Sequence, residues 1–113
     1  MSEQRMKEAL ARIDSARSAL LATGETFTRA EGGRVPERSD RFRLAQSDVH
    51  AAIQHRNRVL VDLVGSAAEV PIELVTGLGL TGREAASLVT SWRTGSRRVK
   101  AHLFGSIPST NRT

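Results

Sequence analysis

The chain has 113 residues, enough for one domain. Hydrophobic residues make up 39% of it and aromatic residues only 4%. Its β-branched residues are too scattered to alternate with polar ones as they do in strands. It contains no cysteine, which excludes disulfides and thiolate zinc sites. It has no apolar run long enough to cross a membrane, so we expect a cytoplasmic protein with no membrane partner. Residues 76–113 carry the whole net charge of +5, because they hold six Lys and Arg against Glu84 alone.

The first predicted element is an amphipathic helix over residues 1–23 that ends at Gly24. Its apolar side chains follow a 4-3-4 spacing at Ala9, Ile13, Ala16 and Leu20. This stripe is suited to packing on another helix of the same chain or of a second chain. A domain of this size buries only about 65% of the surface of its unfolded chain, so we expect a homodimer.

Residues 24–39 break the helical pattern with Gly24, Gly32, Gly33 and Pro36. We predict a loop here, either a passive linker or a functional arm, with Phe27 or Val35 held against the core.

A long helix is predicted next, over residues 40–65, with Ser39 as its N-cap and Gly65 as its C-cap. One broad face is apolar, with Phe42, Val49, Ile53, Leu60 and Leu63. Arg56 interrupts that face, although its aliphatic stem can still cover apolar surface.

Two short helices follow within a basic segment at residues 66–104. Pro71 is expected at the first helical position of the first one, and Gly79 ends it. Thr81 and Glu84 have the spacing of a capping box, which predicts a second helix from Gly82 to about Arg93. Another short helix is predicted at residues 97–104, before a tail at residues 105–113.

Residues 59–92 resemble a helix-turn-helix DNA-binding unit. The resemblance rests on Val70-Pro71-Ile72-Glu73-Leu74-Val75, on Leu78-Gly79-Leu80-Thr81 and on the helix that follows. Gly79 supplies the positive φ that a tight turn needs, and leucines 74, 78, 80 and 88 would pack the junction.

The chain departs from the helix-turn-helix pattern at three positions. Val75 stands where the family has a small residue, and Ala85 stands where it has Val or Ile. Gly77 weakens the first helix by about 1 kcal/mol relative to Ala. A pair of short helices that merely closes a bundle is therefore the alternative interpretation.

The resemblance implies two sets of nucleic-acid-binding residues. It places Thr81, Gly82, Arg83, Ser87 and Thr90 in the major groove, where Arg83 alone can contact guanine with two hydrogen bonds. The resemblance also implies phosphate contacts from the cations beyond that helix, namely Arg93, Arg97, Arg98 and Lys100. We therefore expect a single-domain, all-α bundle with a long second helix and a helix-turn-helix-like pair, which binds duplex DNA in a regulatory role.

Other chemistry is poorly supported, so we expect no enzyme activity, metal site or cofactor. His50 and His55 lack the i, i+4 spacing that would let two helical histidines bind one metal ion. Ser47, Asp48 and His50 are close in sequence, but on a helix they point in different directions and cannot form a catalytic triad. A dinucleotide-binding loop requires a preceding strand, and the glycines at 77, 79 and 82 follow none.

The alternative function is a helical protein–protein interaction or assembly module that does not bind nucleic acid. Its basic end would then meet an acidic partner or keep the protein in solution. Exposed Leu88 and Trp92 would favour this alternative, whereas their burial beside an arginine-rich surface would favour DNA. We expect Trp92 to belong to the core rather than to stack on a base.

Overall fold

The computed structural model describes residues 2–24 and 40–105. The helices of this part, here α1 to α5, span Ser2–Ala22, Asp40–Val64, Ile72–Gly77, Gly82–Thr94 and Arg97–Phe104. No strand occurs among these residues, so the predicted all-α class with a long second helix is confirmed. The predictions for the loop at 25–39, for Ser39, for Phe27 or Val35 and for the tail after Gly105 lie outside the described residues.

α1 and α2 form an antiparallel hairpin. Near the start of α1, Arg5 pairs with Asp62 near the end of α2, at 3.1 Å between Nη2 and Oδ2. At the other end of the hairpin, Arg41 donates to the carbonyl of Ala22 at 3.3 Å. Both contacts are exposed and contribute little stability, so the hairpin depends on the apolar side chains between the helices.

The main core surrounds α2, which contacts every other helix of the described chain. Leu60 of α2, Leu78 after α3 and Phe104 of α5 are all fully buried there. Burial of each such side chain contributes about 1.5–3 kcal/mol. A smaller cluster lies further along the hairpin and consists of Ile13, Ala16 and Ala52, with Val49 and Ile53 against it.

The turn from α3 to α4 depends on Gly79, whose φ is +66° as the sequence predicted. Leu80 N–H donates to the Val75 carbonyl at 3.0 Å, and Gly79 N–H donates to the Thr76 carbonyl at 3.1 Å. These two bonds form a Schellman motif, which satisfies the last carbonyls of α3. The turn therefore has a sharp, defined geometry that positions α4 relative to α3.

The structure corrects the prediction for Pro71 and adds a packing role for Gly77. Pro71 is the N-cap instead of the first helical residue, because its ψ of 141° is extended and helical dihedrals begin at Ile72. Gly77 allows a close approach between α3 and α1, since a Cβ there would lie 2.6 Å from the Sδ of Met6. The glycine that weakens α3 thus makes room for α1.

The end of α5 lies against the middle of α2. Three polar side chains of α2 donate to the last carbonyls of α5, namely Gln54 to Ala101 and His102, Asn57 to Leu103, and Arg58 to Phe104. The last carbonyls of a helix lack partners within it. The Ala101 carbonyl also accepts from the backbone N–H of Gly105, the C-cap of α5, at 2.9 Å. α2 therefore caps α5, and the charge of Arg58 suits the negative end of the helix dipole.

Candidate nucleic-acid interface

α4 presents a polar face outward. Arg83, Ser87 and Thr90 are exposed, whereas Ala85 and Val89 on the opposite side are buried in the main core. The spacing of three to four residues keeps the exposed side chains on one stripe. The structure therefore brings together three of the residues for which groove contacts were predicted.

The start of α4 is closed by the predicted capping box. Glu84 N–H donates to Thr81 Oγ1 at 3.0 Å, and Thr81 N–H donates to the Glu84 carboxylate at 2.9 Å. Hydrogen bonds from the backbone and side chain of Thr81 lower the pKa of Glu84. The Thr81 hydroxyl thus accepts from the Glu84 N–H and also donates to the Glu84 carboxylate, so a phosphate contact would have to replace that second bond.

Arg56, which interrupts the predicted apolar face of α2, is not among the residues that the sequence predicts for the site. Arg56 lines a groove between α2 and α4 together with Arg83 and Ser87. Burial lowers the pKa of its guanidinium, and the nearby Glu84 carboxylate opposes that effect. The groove thus holds a second, half-buried guanidinium beside Arg83.

Arg93 also has a structural role. Its Nη2 donates to the carbonyls of Gly65 at 3.1 Å and Ala67 at 2.7 Å, just after the end of α2. These bonds hold the guanidinium near the end of α4. A phosphate contact would have to use the donors that remain on the same group.

Arg97 and Arg98 occupy the first turn of α5 and are exposed. Ser96 caps this turn by accepting from Val99 N–H at 3.2 Å, and no acidic residue lies in the turn. Two cations at the positive end of a helix dipole oppose it, by about 0.3–1 kcal/mol each. The two arginines lower the stability of α5, so the stability of the fold does not explain why they stand at this end of the helix.

Lys100 and Trp92 contact each other where α5 crosses the end of α4. The Lys100 ammonium lies 5.9 Å from the centre of the Trp92 ring, and this ring packs edge-on against Phe104 with centroids 4.9 Å apart. Trp92 and Leu88 are both partly buried against the main core. Both side chains therefore contribute to the packing of α4 against the main core.

The C-terminal cations, here defined as Arg83, Arg93, Arg97, Arg98 and Lys100, form no ion pair within the described residues. The two salt bridges seen there are Arg5–Asp62 and Arg43–Asp40, which lie in the hairpin. The surplus charge of residues 76–105 is therefore not neutralised by the acids of the first two helices.

The histidines are arranged differently from the pair considered in the sequence. His50 lies near His102 of α5, with tilted rings whose centroids are 5.4 Å apart. Burial, followed by the charges of Arg12 and Arg58, lowers the pKa of His55 and favours its neutral ring. Across residues 2–24 and 40–105, no three His, Asp or Glu side chains converge as a metal site would require.

In the described part of the chain, no helix has the length and apolar character needed to span a membrane. No protein-family model matches the chain, and neither a curated protein nor a solved structure matches it significantly.

Proposed function

We propose that this protein binds duplex DNA through α3 and α4, which act as a helix-turn-helix unit, and that it regulates transcription. The observation that carries the proposal is the set of C-terminal cations, which lack carboxylate partners in the described residues and lie on α4 and α5, with Arg83 on the exposed stripe of α4. An unneutralised basic surface beside an exposed polar helix is typical of proteins that bind nucleic acid.

In the proposed complex, the first turns of α4 enter the major groove. Arg83 contacts base edges, since a guanidinium can donate two hydrogen bonds to guanine. Ser87 and Thr90, further along the same stripe, donate to bases or phosphates. The capping box keeps the start of α4 rigid, so Arg83 meets the groove from a fixed helix.

Phosphate contacts are proposed for the cations beyond the groove-facing stripe. Arg97 and Arg98 lie at the N-terminal end of α5, where a bound phosphate would neutralise them and interact favourably with the helix dipole. The unfavourable charge arrangement of the free protein is thereby relieved on binding. In a homodimer, two copies of α4 would contact half-sites about one helical turn apart.

The proposal is tested by fluorescence anisotropy with a labelled duplex of mixed sequence, titrated at several salt concentrations. If four to six cations meet phosphates, log Kobs should fall against log salt with a slope of roughly −4 to −5. Absence of duplex binding at low salt would reject the proposal.

Variants separate the two proposed roles. Arg97→Ala with Arg98→Ala should weaken binding to all duplexes alike, whereas Arg83→Ala should reduce the preference between sequences. The matched control is Arg12→Ala with Arg17→Ala, because both residues are exposed on α1 and the net charge changes equally. An equal loss of affinity in the control would show that net charge alone drives binding.

A helical interaction module is the second candidate, and Ile72 is the observation that favours it. This side chain is 67% exposed and lies beside a groove between α3 and α4. Retention of a protein partner by a chain that fails to bind duplex would support this candidate.

A further inference from the structure

The open end of the hairpin, where α1 ends and α2 begins, carries a groove with a floor of small residues. Ala19 and Ala22 line it from α1, and Ala45 lines it from α2. Leu44 stands beside these alanines with 67% of its surface exposed. The chain thus presents a large apolar side chain and a shallow apolar groove next to each other.

Opposite charges lie on either side of Leu44 along α2. Arg41 precedes it by about one helical turn, and Asp48 follows it by about one turn, and both line the same groove. Among the described residues, neither of them takes part in a salt bridge. The patch is therefore neutral overall, which distinguishes it from the basic surface near α4.

We propose that this groove is the contact surface of a homodimer, with the two α2 helices antiparallel about a two-fold axis between Leu44 and Ala45. A surface that binds its own copy must be self-complementary. In this arrangement Leu44 of each chain packs into the alanine groove of the other. The same axis places Arg41 opposite Asp48 of the partner subunit, so each dimer contains this ion pair twice.

A second copy fits this groove better than a polyanion or an unrelated chain. Its charges balance within one turn on each side of the proposed axis, so the patch does not attract phosphates. The side chain that fills the groove and the groove itself belong to the same chain, and the alanines permit close approach of the helices. The proposal does not depend on DNA binding.

Light scattering after gel filtration, at micromolar to submillimolar concentration, tests the proposal directly. The expected mass is twice the 12.3 kDa of one chain, and Leu44→Glu should give the monomer mass. The matched control is Leu21→Glu, because Leu21 is 79% exposed on α1 and does not line the groove. A monomeric natural chain would overturn the proposal, as would dissociation of both variants or of neither.

A charge exchange tests the pairing of Arg41 with Asp48 across the axis. Each single change, Arg41→Glu or Asp48→Arg, brings like charges together and should weaken dimerisation about tenfold. The double variant restores opposite charges and should dimerise more tightly than either single variant. Circular dichroism verifies that each variant stays helical, and a double variant no tighter than the singles would overturn this geometry.

Discussion

Asn57 shows how one buried polar residue organises the packing of two helices. It is only 3% exposed, yet both ends of its amide have partners. Its Nδ2 donates to the Leu103 carbonyl at 2.8 Å, and its Oδ1 accepts from Arg56 Nη2 at 3.1 Å. Because an unpaired buried amide is costly, these bonds favour a single position of α5 against α2.

Asn57→Ala should therefore lower the free energy of unfolding by about 1–3 kcal/mol, since the Leu103 carbonyl loses its donor in a buried position. Urea denaturation followed by circular dichroism measures the change. Gln46→Ala, at an exposed position of the same helix, is the control and should change stability by less than about 0.5 kcal/mol. Equal effects of the two changes would contradict this account of Asn57.

At the scale of the element, α5 has opposite electrostatics at its two ends. Its C-terminal end receives Arg58 from α2, which suits the helix dipole. Its N-terminal end carries Arg97 and Arg98, which oppose the dipole. The stabilised end faces the core, and the destabilised end belongs to the proposed DNA contact.

This asymmetry predicts that stability and affinity change in opposite directions. Arg97→Glu with Arg98→Glu should raise the free energy of unfolding, by about 0.3–1 kcal/mol for each position, because acidic residues suit the start of a helix. The same variant should lose most of its affinity for duplex, since two phosphate contacts become repulsive. Thermal denaturation and anisotropy together provide the test, and a variant that loses both stability and affinity would contradict it.

The helices were predictable because their boundaries depend on nearby residues. Gly65 and Gly79 have the positive φ expected of helix ends, and the box formed by Thr81 and Glu84 spans only three positions. The contact between Asn57 and Leu103 joins residues 46 positions apart, so no local pattern could reveal it. Its signal was only a run of polar residues within an otherwise apolar stretch of α2.

The candidate site, too, was predictable only where it depends on residues close together in the sequence. Helical periodicity places Arg83, Ser87 and Thr90 on one face, and the structure shows that face exposed. The position of Arg56 beside Arg83 depends on how α2 and α4 pack. The bonds of Arg93 to the carbonyls of Gly65 and Ala67 depend on where α2 ends. Those features arise from the tertiary fold, which charge and spacing alone do not determine.

At the scale of the whole molecule, the hairpin links two unequal apolar clusters. The main core unites side chains of all five helices in the described chain, whereas the cluster around Ile13 and Ala52 comes from α1 and α2 alone. The second cluster has fewer and smaller side chains, so it buries less apolar surface and stabilises the fold less. The open end of the hairpin should therefore be the less stable part of the described fold.

Native-state hydrogen exchange measured by NMR should show this difference along α2. Amides near Leu60 should exchange only through global unfolding, and amides near Val49 should exchange faster, through local opening. If the proposed dimer forms, protection near Leu44 should also rise with protein concentration, while that near Leu60 follows global stability. Uniform protection along α2 at every concentration would contradict the unequal clusters.

The contact of Trp92 with Lys100 and Phe104 makes the protein its own spectroscopic reporter. Trp92 is the only tryptophan in the sequence, so its intrinsic emission comes from one place, the junction of α4 and α5. Undocking of α5 would transfer the indole to water and shift the emission to longer wavelength. A phosphate that draws Lys100 away from the ring would alter the same signal, so folding and ligand engagement are observable without an attached dye.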